Sequence, residues 1–192
     1  IENKFGENYS GINIKLNKVK LLLDVSTLSI NLETENAIIS SEKEKIKLEK
    51  ISTKYDAKSF FTKKFAVKNL FIDSKKNQIK KFIKLARSYK DSPQLLIIDK
   101  IIKKGNAEIS IKLNFDEKGK LKEDKYEIVA DIENLSIELF NKQKIEKVSC
   151  NIKYIKNKIQ IKNLKSEYQG LELFMKNVNF IKKNKYYLVE GD

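Results

Sequence analysis

The chain has 192 residues, of which 41% are hydrophobic and 34% charged, a balance typical of one folded domain rather than of a disordered or membrane-spanning chain. It contains no histidine and a single cysteine, Cys150, which excludes histidine-dependent catalytic relays, internal disulfides and cysteine-rich metal sites. We therefore expect a non-enzymatic protein without catalytic residues, metal or cofactor.

The net charge of +14 places nucleic acid and anionic membranes among the candidate partners. Arg87 is the only arginine, however, although arginine is the preferred side chain for contacts to phosphate and guanine. Lysines also alternate with glutamates, as in residues 42–50, instead of forming one block. This pattern favours the solvated face of a sheet, and a basic nucleic-acid-binding protein is kept as an alternative.

Alternation of apolar and polar residues dominates the first third of the chain. It predicts strands at residues 12–16, 19–25, 28–32, 46–55 and 65–72. The phase of the alternation slips at Asn17-Lys18, which indicates a bulge or a tight turn between antiparallel strands.

The middle of the chain changes to helical spacing. A first helix is expected to follow Asp73-Ser74, which can cap its N-terminus, and its apolar residues are Ile79, Phe82, Ile83 and Ala86. A second helix is expected to begin at Pro93 after the cap residue Ser92. Its apolar stripe comprises Ile97, Ile98, Ile101 and Ile102. Lys103-Lys104 and Gly105 are expected at its C-terminus and just past it.

The second half of the chain returns to period-two alternation. It predicts strands at residues 109–115, 126–132, 135–139, 150–154 and 159–161 and in a last region, 171–187, with turns at 116–119 and 156–158. Cys150 is in phase with Ile152 and Tyr154, so it is interpreted as a buried hydrophobic side chain rather than a reactive thiol.

Segments of the two halves resemble each other in the same order. Residues 12–17 resemble 109–114, and 28–32 resemble 135–139; the later pairs are 48–52 with 145–149 and 67–70 with 161–164. The chain is therefore interpreted as a single module over residues 1–192, with repeat halves at 10–73 and 107–190 and a helical insertion at 75–104.

The predicted fold is mainly β with a minor α insertion: a long antiparallel, strongly twisted sheet curled into a groove, with two short helices in the middle of the chain. A sheet with one apolar face must cover that face or use it. Closure into a barrel or sandwich gives the same alternation as a trough that binds something apolar, so both remain open. If the trough forms, its candidate lining residues are Ile14, Leu16, Leu21, Leu23, Ile30, Ile111, Leu113, Ile128, Ile137, Ile152, Ile161 and Leu173.

Two motifs carry a resemblance to a known family. The segment FAVKNLFI at residues 65–72 and the segment IQIKNLKSEYQGLEL at residues 159–173 resemble repeats of the bacterial AsmA-like family, which includes the TamB- and YhdP-type proteins. That family belongs to the repeating β-groove, or bridge-like, lipid-transfer proteins.

The resemblance implies a periplasmic β-groove that binds phospholipid acyl chains and contributes to lipid transport or outer-membrane assembly. It also implies contact with the cell envelope membranes and an inner-membrane anchor. We expect the chain to be part of a longer protein, whose anchor lies in a segment outside this sequence. An envelope structural β-domain with a closed core is a further alternative.

Overall fold

A computed structural model describes residues 12–27, 29–41, 44–56, 67–89, 91–122, 125–184 and 186–192. Within these ranges the first strands are β1 (Ile12–Lys15), β2 (Val19–Asp24), β3 (Ser29–Glu35), β4 (Ile38–Ser41), β5 (Lys45–Asp56), β6 (Val67–Ser74) and β7 (Asn77–Gln78). Two helices follow, α1 (Ile79–Tyr89) and α2 (Pro93–Ile101). The later strands are β8 (Ile102–Asn114), β9 (Glu127–Glu138), β10 (Lys144–Ile155), β11 (Lys158–Tyr168), β12 (Leu171–Lys183) and β13 (Tyr186–Gly191).

All of these strands belong to one antiparallel sheet. Its main order is β2-β3-β5-β6-β8-β9-β10-β11-β12-β13, with β1 and β4 beside the first residues of β5 and β7 beside β8. The sheet is not closed: β13 is its edge strand on one side, and on the other side it forks beyond β5, so that β1 and β2 are both edge strands. The prediction of a mainly β chain with one long antiparallel sheet and two helices in its middle is confirmed.

A row of β-bulges crosses four adjacent strands. Residues with positive φ lie beside shifts of register in β8 to β11: Gly105 (140°), Asn134 (51°), Lys147 (52°) and Asn163 (53°). Bulges bend a strand and increase its right-handed twist. Because these four residues belong to neighbouring strands, they bend the sheet along one end of its strands. The helices cover that same end of the strands.

Helix α1 packs on one face of the sheet and contributes to two core clusters. In the first cluster Ile83 is buried with Ile102, Ala107, Ile132, Leu135, Val148 and Cys150. In the second cluster Phe82 and Leu85 pack against the buried residues Ala37, Ile46 and Leu48. Burial of a side chain such as Leu48 contributes about 1.5–3 kcal/mol, so these clusters fix α1 on this face.

Helix α2 is held by its N-terminal cap and by a link to α1. Ser92 is the cap residue, and its hydroxyl oxygen accepts a hydrogen bond from the Leu95 N–H at 3.3 Å. The Ser92-Pro93 start is therefore confirmed. The guanidinium of Arg87 donates from Nη1 to Oδ2 of Asp99 at 2.7 Å, which joins the two helices.

Two predictions about the helix ends are wrong. Asp73 and Ser74 do not cap α1, because both belong to β6 and the Ser74 hydroxyl oxygen accepts a hydrogen bond from the Ile109 N–H at 2.8 Å. Gly105 does not follow the C-terminus of α2, because the helix ends at Ile101 and Gly105 lies inside β8. Lys103 and Lys104 precede it in the same strand.

Several strand predictions are refined by the structure. The predicted strands at 126–132 and 135–139 are one strand, β9, interrupted by the bulge at Asn134. The turn at 116–119 is confirmed: the Asp116 carboxylate accepts from the N–H groups of Lys118 and Lys120, and Gly119 has a φ of 78°. Leu28 and Phe65, which the predictions included, lie outside the described residues.

Three of the four pairs of similar segments occupy corresponding places, whereas 12–17 lies beside β4 and 109–114 lies between β6 and β9. Segments 28–32, 48–52 and 67–70 fall on or overlap the neighbouring strands β3, β5 and β6, while 135–139, 145–149 and 161–164 do the same with the neighbouring strands β9, β10 and β11. The helices lie within the predicted insertion at 75–104. The duplication itself stays a prediction.

Candidate functional site

One line of paired residues runs across the full width of the sheet on a single face. Each residue of this cross-sheet row is paired with the next through the strand register: Val19, Thr34, Ile51, Ile72, Ile111, Ile128, Tyr154, Ile159, Phe180 and Val189. Since successive residues of a strand point to opposite faces, the row identifies the apolar face of all ten strands. Thr34 and Tyr154 are its only members with a hydroxyl group.

Most of the twelve residues predicted to line a groove belong to this apolar face. Leu21 and Leu113 lie two residues from members of the row, and Leu23 and Ile30 lie four residues from them. Ile111 and Ile128 belong to the row, and Ile152 and Ile161 form a cross-strand pair beside it. Ile14 pairs with Ile39, which pairs with the buried Ile46. Ile137 pairs with Ile102 and Ile145. Leu173 pairs with Ser166, is 50% exposed, and belongs neither to the cross-sheet row nor to a core cluster.

Helix α1 separates these residues into two groups. Leu16, Ile137, Ile152 and Ile161 pack against the two core clusters, and Ile14 is paired with a residue that does so. These five belong to the packed interior rather than to an accessible groove.

The remaining apolar side chains of this face lie outside both core clusters. We call them the apolar wall: Val19, Leu21, Leu23, Ile30, Leu32, Tyr55, Leu70, Ile111, Leu113, Ile128, Tyr154, Ile159, Phe180 and Val189. At the two ends of the sheet the wall is open to solvent, with Leu21 63% and Val189 56% exposed. Between the ends the side chains are half-buried. Contiguous exposed apolar area of this kind marks interaction sites.

Several wall residues were missing from the predicted lining. Tyr55, Leu70, Tyr154, Ile159 and Phe180 all lie in predicted strands or regions and share their apolar phase. The signal was therefore present in the alternation. It was not sufficient, because membership of the wall depends on which strand lies beside which.

Two tyrosines place polar groups at the wall. The hydroxyl oxygens of Tyr126 and Tyr154 are 3.0 Å apart, and their ring centroids are 5.6 Å apart. The Tyr126 hydroxyl also donates to the carbonyl oxygen of Lys156 at 3.2 Å. An apolar ring with a fixed polar tip suits a boundary between an apolar surface and water.

The opposite face of the sheet is charged and carries several ion pairs. Lysine and glutamate side chains face each other across neighbouring strands, with N–O distances of 2.9 Å for the pairs Lys20–Glu35, Lys50–Glu33 and Lys153–Glu127. Asn151 extends this polar face by donating to Asp131 and accepting from Asn163. Such cross-strand pairs of opposite charge suit the solvated face of a sheet.

A polar cavity lies away from the apolar wall, next to the row of bulges. Its volume is about 560 Å³, and its lining includes Lys80, Lys103, Lys104, Gly105 and Lys147. A cavity surrounded by so many lysine side chains is poorly suited to an acyl chain. The cavity is therefore separate from the candidate site.

Cys150 is buried in the first core cluster, as predicted. Burial raises the pKa of its thiol, and the nearby negative charge of Asp131 raises it further. A raised thiol pKa lowers the fraction of the nucleophilic thiolate. Chemistry at this residue therefore plays no part in the candidate site.

Comparison of the chain with known protein families, with curated proteins and with solved structures finds no match. In the part of the chain that the structure describes, neither helix is long and apolar enough to cross a bilayer.

Proposed function

We propose that the apolar wall binds the acyl chains of phospholipids, and that the chain is a β-groove segment of the AsmA-like type. The observation that carries the proposal is the cross-sheet row, which marks one apolar face across ten strands. Ile51 and Ile72 of the row pack against the second core cluster, and the apolar wall occupies the face on either side of them. An acyl chain laid along this surface would remove apolar area from water at about 25 cal/mol per Å². Headgroups would remain at the wet edges, near lysines and the tyrosine hydroxyl groups.

The fold favours this use of the face over complete internal packing. Helix α1 covers only one end of the strands, the end where the bulges lie. The first core cluster contains a residue of α1, and the second packs against two others. A closed barrel or sandwich would bury the whole row, whereas the described sheet has separate ends at β2 and β13. The alternative of a structural domain with a closed core is therefore less well supported.

The charge pattern gives less support to nucleic-acid binding. Lysines are spread along the outer face, and many face a carboxylate across the strands, as Lys147 faces Glu167 at 2.6 Å. Nucleic-acid binding through phosphate requires cations that are free to replace counterions. Affinity for duplex or single-stranded DNA that falls steeply with added salt would favour this alternative instead.

The resemblance to the AsmA-like family supplies the cellular part of the proposal. The segment would act in the periplasm, in a protein anchored in the inner membrane by a region outside this sequence, and would contribute to lipid transport or outer-membrane assembly. Its action is passive in this scheme, since binding requires only an apolar surface and no catalytic group.

The test compares two adjacent aliphatic residues of β9 that point to opposite faces. Ile128 belongs to the wall, while Val129 pairs with Ser110 and Lys153 on the outer face; both side chains are half-buried. Phospholipid bound to the purified chain after incubation with phosphatidylethanolamine and phosphatidylglycerol vesicles is measured by mass spectrometry. We expect Ile128→Gln to lose most of the bound lipid and Val129→Gln to retain it. Absence of lipid from the wild-type chain, or equal loss in both variants, would reject the proposal.

A further inference from the structure

In the part of the chain that the structure describes, the sheet has edge strands with an unpaired outer side: β13 on one side, and β2 and the four-residue β1 on the other, where the sheet forks. β2 pairs only with β3, and β13 pairs only with β12. Each presents a row of backbone N–H and C=O groups that have no strand partner on the outer side. Soluble proteins usually protect such edges with charges, proline or a covering element, because an exposed edge pairs readily with another strand.

The edges of β2 and β13 carry mostly apolar side chains, beside Lys20 and Asp24 on β2 and Glu190 on β13. On β2 the side chains of Val19, Leu21, Leu22 and Leu23 are all at least half exposed. On β13 the exposed apolar side chains are Tyr186, Tyr187, Leu188 and Val189. Apolar side chains lie on both faces of each of these strands. Those on the face opposite to the apolar wall are not needed for the wall itself.

The two edges match in length and direction. β2 and β13 each have six residues. Strand direction alternates along the order of the sheet, so β2 and β13 run in opposite directions. A second copy placed beside the first, with its apolar face on the same side, would therefore bring its β2 antiparallel to β13.

One register also matches the side chains. Setting Leu21 of one copy opposite Val189 of the other keeps both in the apolar wall. The same register places Lys20 opposite Glu190, Leu22 opposite Leu188 and Leu23 opposite Tyr187. Opposite charges and apolar pairs facing each other across an antiparallel pair are stabilising. Shifting by two residues in either direction removes the Lys20–Glu190 pair and sets Leu22 opposite Tyr186 or Glu190.

We propose that copies of this chain associate head to tail, with β13 of one copy paired to β2 of the next. The contact uses two different surfaces, so it leaves one free edge of each kind and the assembly can grow. The sheet continues through the contact, and the apolar wall continues with it. The inference does not depend on lipid binding.

Two lysine substitutions at wall positions block one edge each. Leu21→Lys places a charge on the β2 edge, and Val189→Lys places one on the β13 edge; both native side chains are more than half exposed, so the fold tolerates the change. Val25→Lys is the matched control, since Val25 is 73% exposed in the turn after β2 and lies outside the register. Circular dichroism establishes that each variant keeps its strand content.

Sedimentation velocity over a range of protein concentrations measures the association. We expect the wild-type chain and Val25→Lys to form dimers and longer species as concentration rises. Each edge variant alone should associate at least about tenfold more weakly. An equimolar mixture of the two edge variants should form dimers that do not grow, because the intact β13 edge of Leu21→Lys meets the intact β2 edge of Val189→Lys and both remaining edges carry a lysine.

Four results would overturn the proposal. The first is a wild-type chain that stays monomeric at every concentration, a result that needs no variant. The second is association of either edge variant as strong as that of the wild type. The third is a Val25→Lys control as defective as the edge variants, which indicates a general effect of charge. The fourth is a mixture that stays monomeric, because the intact β13 edge of one variant would then fail to pair with the intact β2 edge of the other.

Discussion

Gly105 and Leu135 approach each other so closely that no side chain fits between them. A Cβ atom on Gly105 would lie 2.8 Å from the Leu135 Cα and 3.1 Å from its Cβ, and the φ of Gly105 is 140°. Gly105 opens the row of bulges, and Leu135 is buried in the first core cluster. The bend of the sheet and the packing under α1 therefore depend on the same contact.

Gly105→Ala should lower the free energy of unfolding by about 2 to 3 kcal/mol, because it adds both backbone strain and a clash with backbone. Gly170→Ala is the control, since Gly170 also has a positive φ but its Cβ would meet nothing within 4 Å. It should cost only the strain, about 1 kcal/mol. Urea unfolding followed by circular dichroism measures both values, and equal costs would show that the contact with Leu135 is not tight.

The apolar face contains one buried hydroxyl group that the described residues leave without a partner. Thr34 is 5% exposed, lies between Val19 and Ile51 in the cross-sheet row, and its Oγ1 makes no hydrogen bond there. Because an unsatisfied buried polar group is destabilising, Thr34→Val should raise the free energy of unfolding by about 1 kcal/mol.

Thr53 is the control for Thr34, because its hydroxyl group has a hydrogen-bond partner. Its Oγ1 donates to the carbonyl oxygen of Asn69 at 2.7 Å. Thr53→Val removes a hydrogen bond and should lower the free energy of unfolding by about 1 kcal/mol. Urea unfolding of the two variants should therefore give changes of opposite sign, and a loss of stability in Thr34→Val would contradict the assignment.

Much of the fold follows from the alternation of residue types. Ile109, Ile111 and Leu113 predict β8 because residues two apart share a face and only one face of this sheet is apolar. Ser92-Pro93 predicts the start of α2 through local chemistry, as a cap followed by a residue without a free N–H. Both signals depend only on residues that are close in sequence, so they can be recognised without knowing the tertiary structure.

The parts that sequence reasoning missed depend on distant neighbours. Lys147 adopts positive φ in a bulge although its residue type does not indicate it, because register with the adjacent strands requires an extra residue there. Asn163 is of a type that tolerates positive φ, but so are the other asparagines of this chain, and the residue type alone does not say which of them lies in a bulge. Asp73-Ser74 resembles a helix cap, but these residues belong to β6, where Asp73 pairs with Ser110 of β8. Ile152 and Ile161 could not be assigned to the core instead of the groove without knowing where α1 packs.

The turn between β2 and β3 is organised by one carboxylate. Asp24 accepts hydrogen bonds from the Ser26 and Thr27 hydroxyl groups, both at 2.6 Å, and from their backbone N–H groups. These bonds, first from Ser26 and then from Thr27, hold the pKa of Asp24 well below its usual range. The ionised form is therefore favoured in the folded chain.

This stabilisation should depend on pH in a defined direction. A carboxyl group with a lowered folded pKa stabilises the fold fully above its unfolded pKa, about 3.9, and loses that effect as the pH falls. The melting temperature of Asp24→Asn should lie below that of the wild type at pH 7, and the difference should narrow progressively below about pH 4. Thermal unfolding at pH 7, 4 and 2.5 measures it. A difference that stays constant would show that the charge of Asp24 has no role.

Cys150 gives a direct probe of how firmly α1 covers its end of the sheet. The side chain is 8% exposed, and its burial raises the pKa of the thiol, so reaction with a thiol reagent requires an opening of the first core cluster. Labelling by dithiobis-nitrobenzoate at pH 8 should be on the order of a hundredfold slower in the native chain than in urea. In a Cys150→Ala background, Ile155→Cys at the exposed end of the same strand should react at a rate close to that of the unfolded chain. Fast labelling of Cys150 in the native chain would mean that α1 leaves the sheet readily and that the apolar wall extends under it.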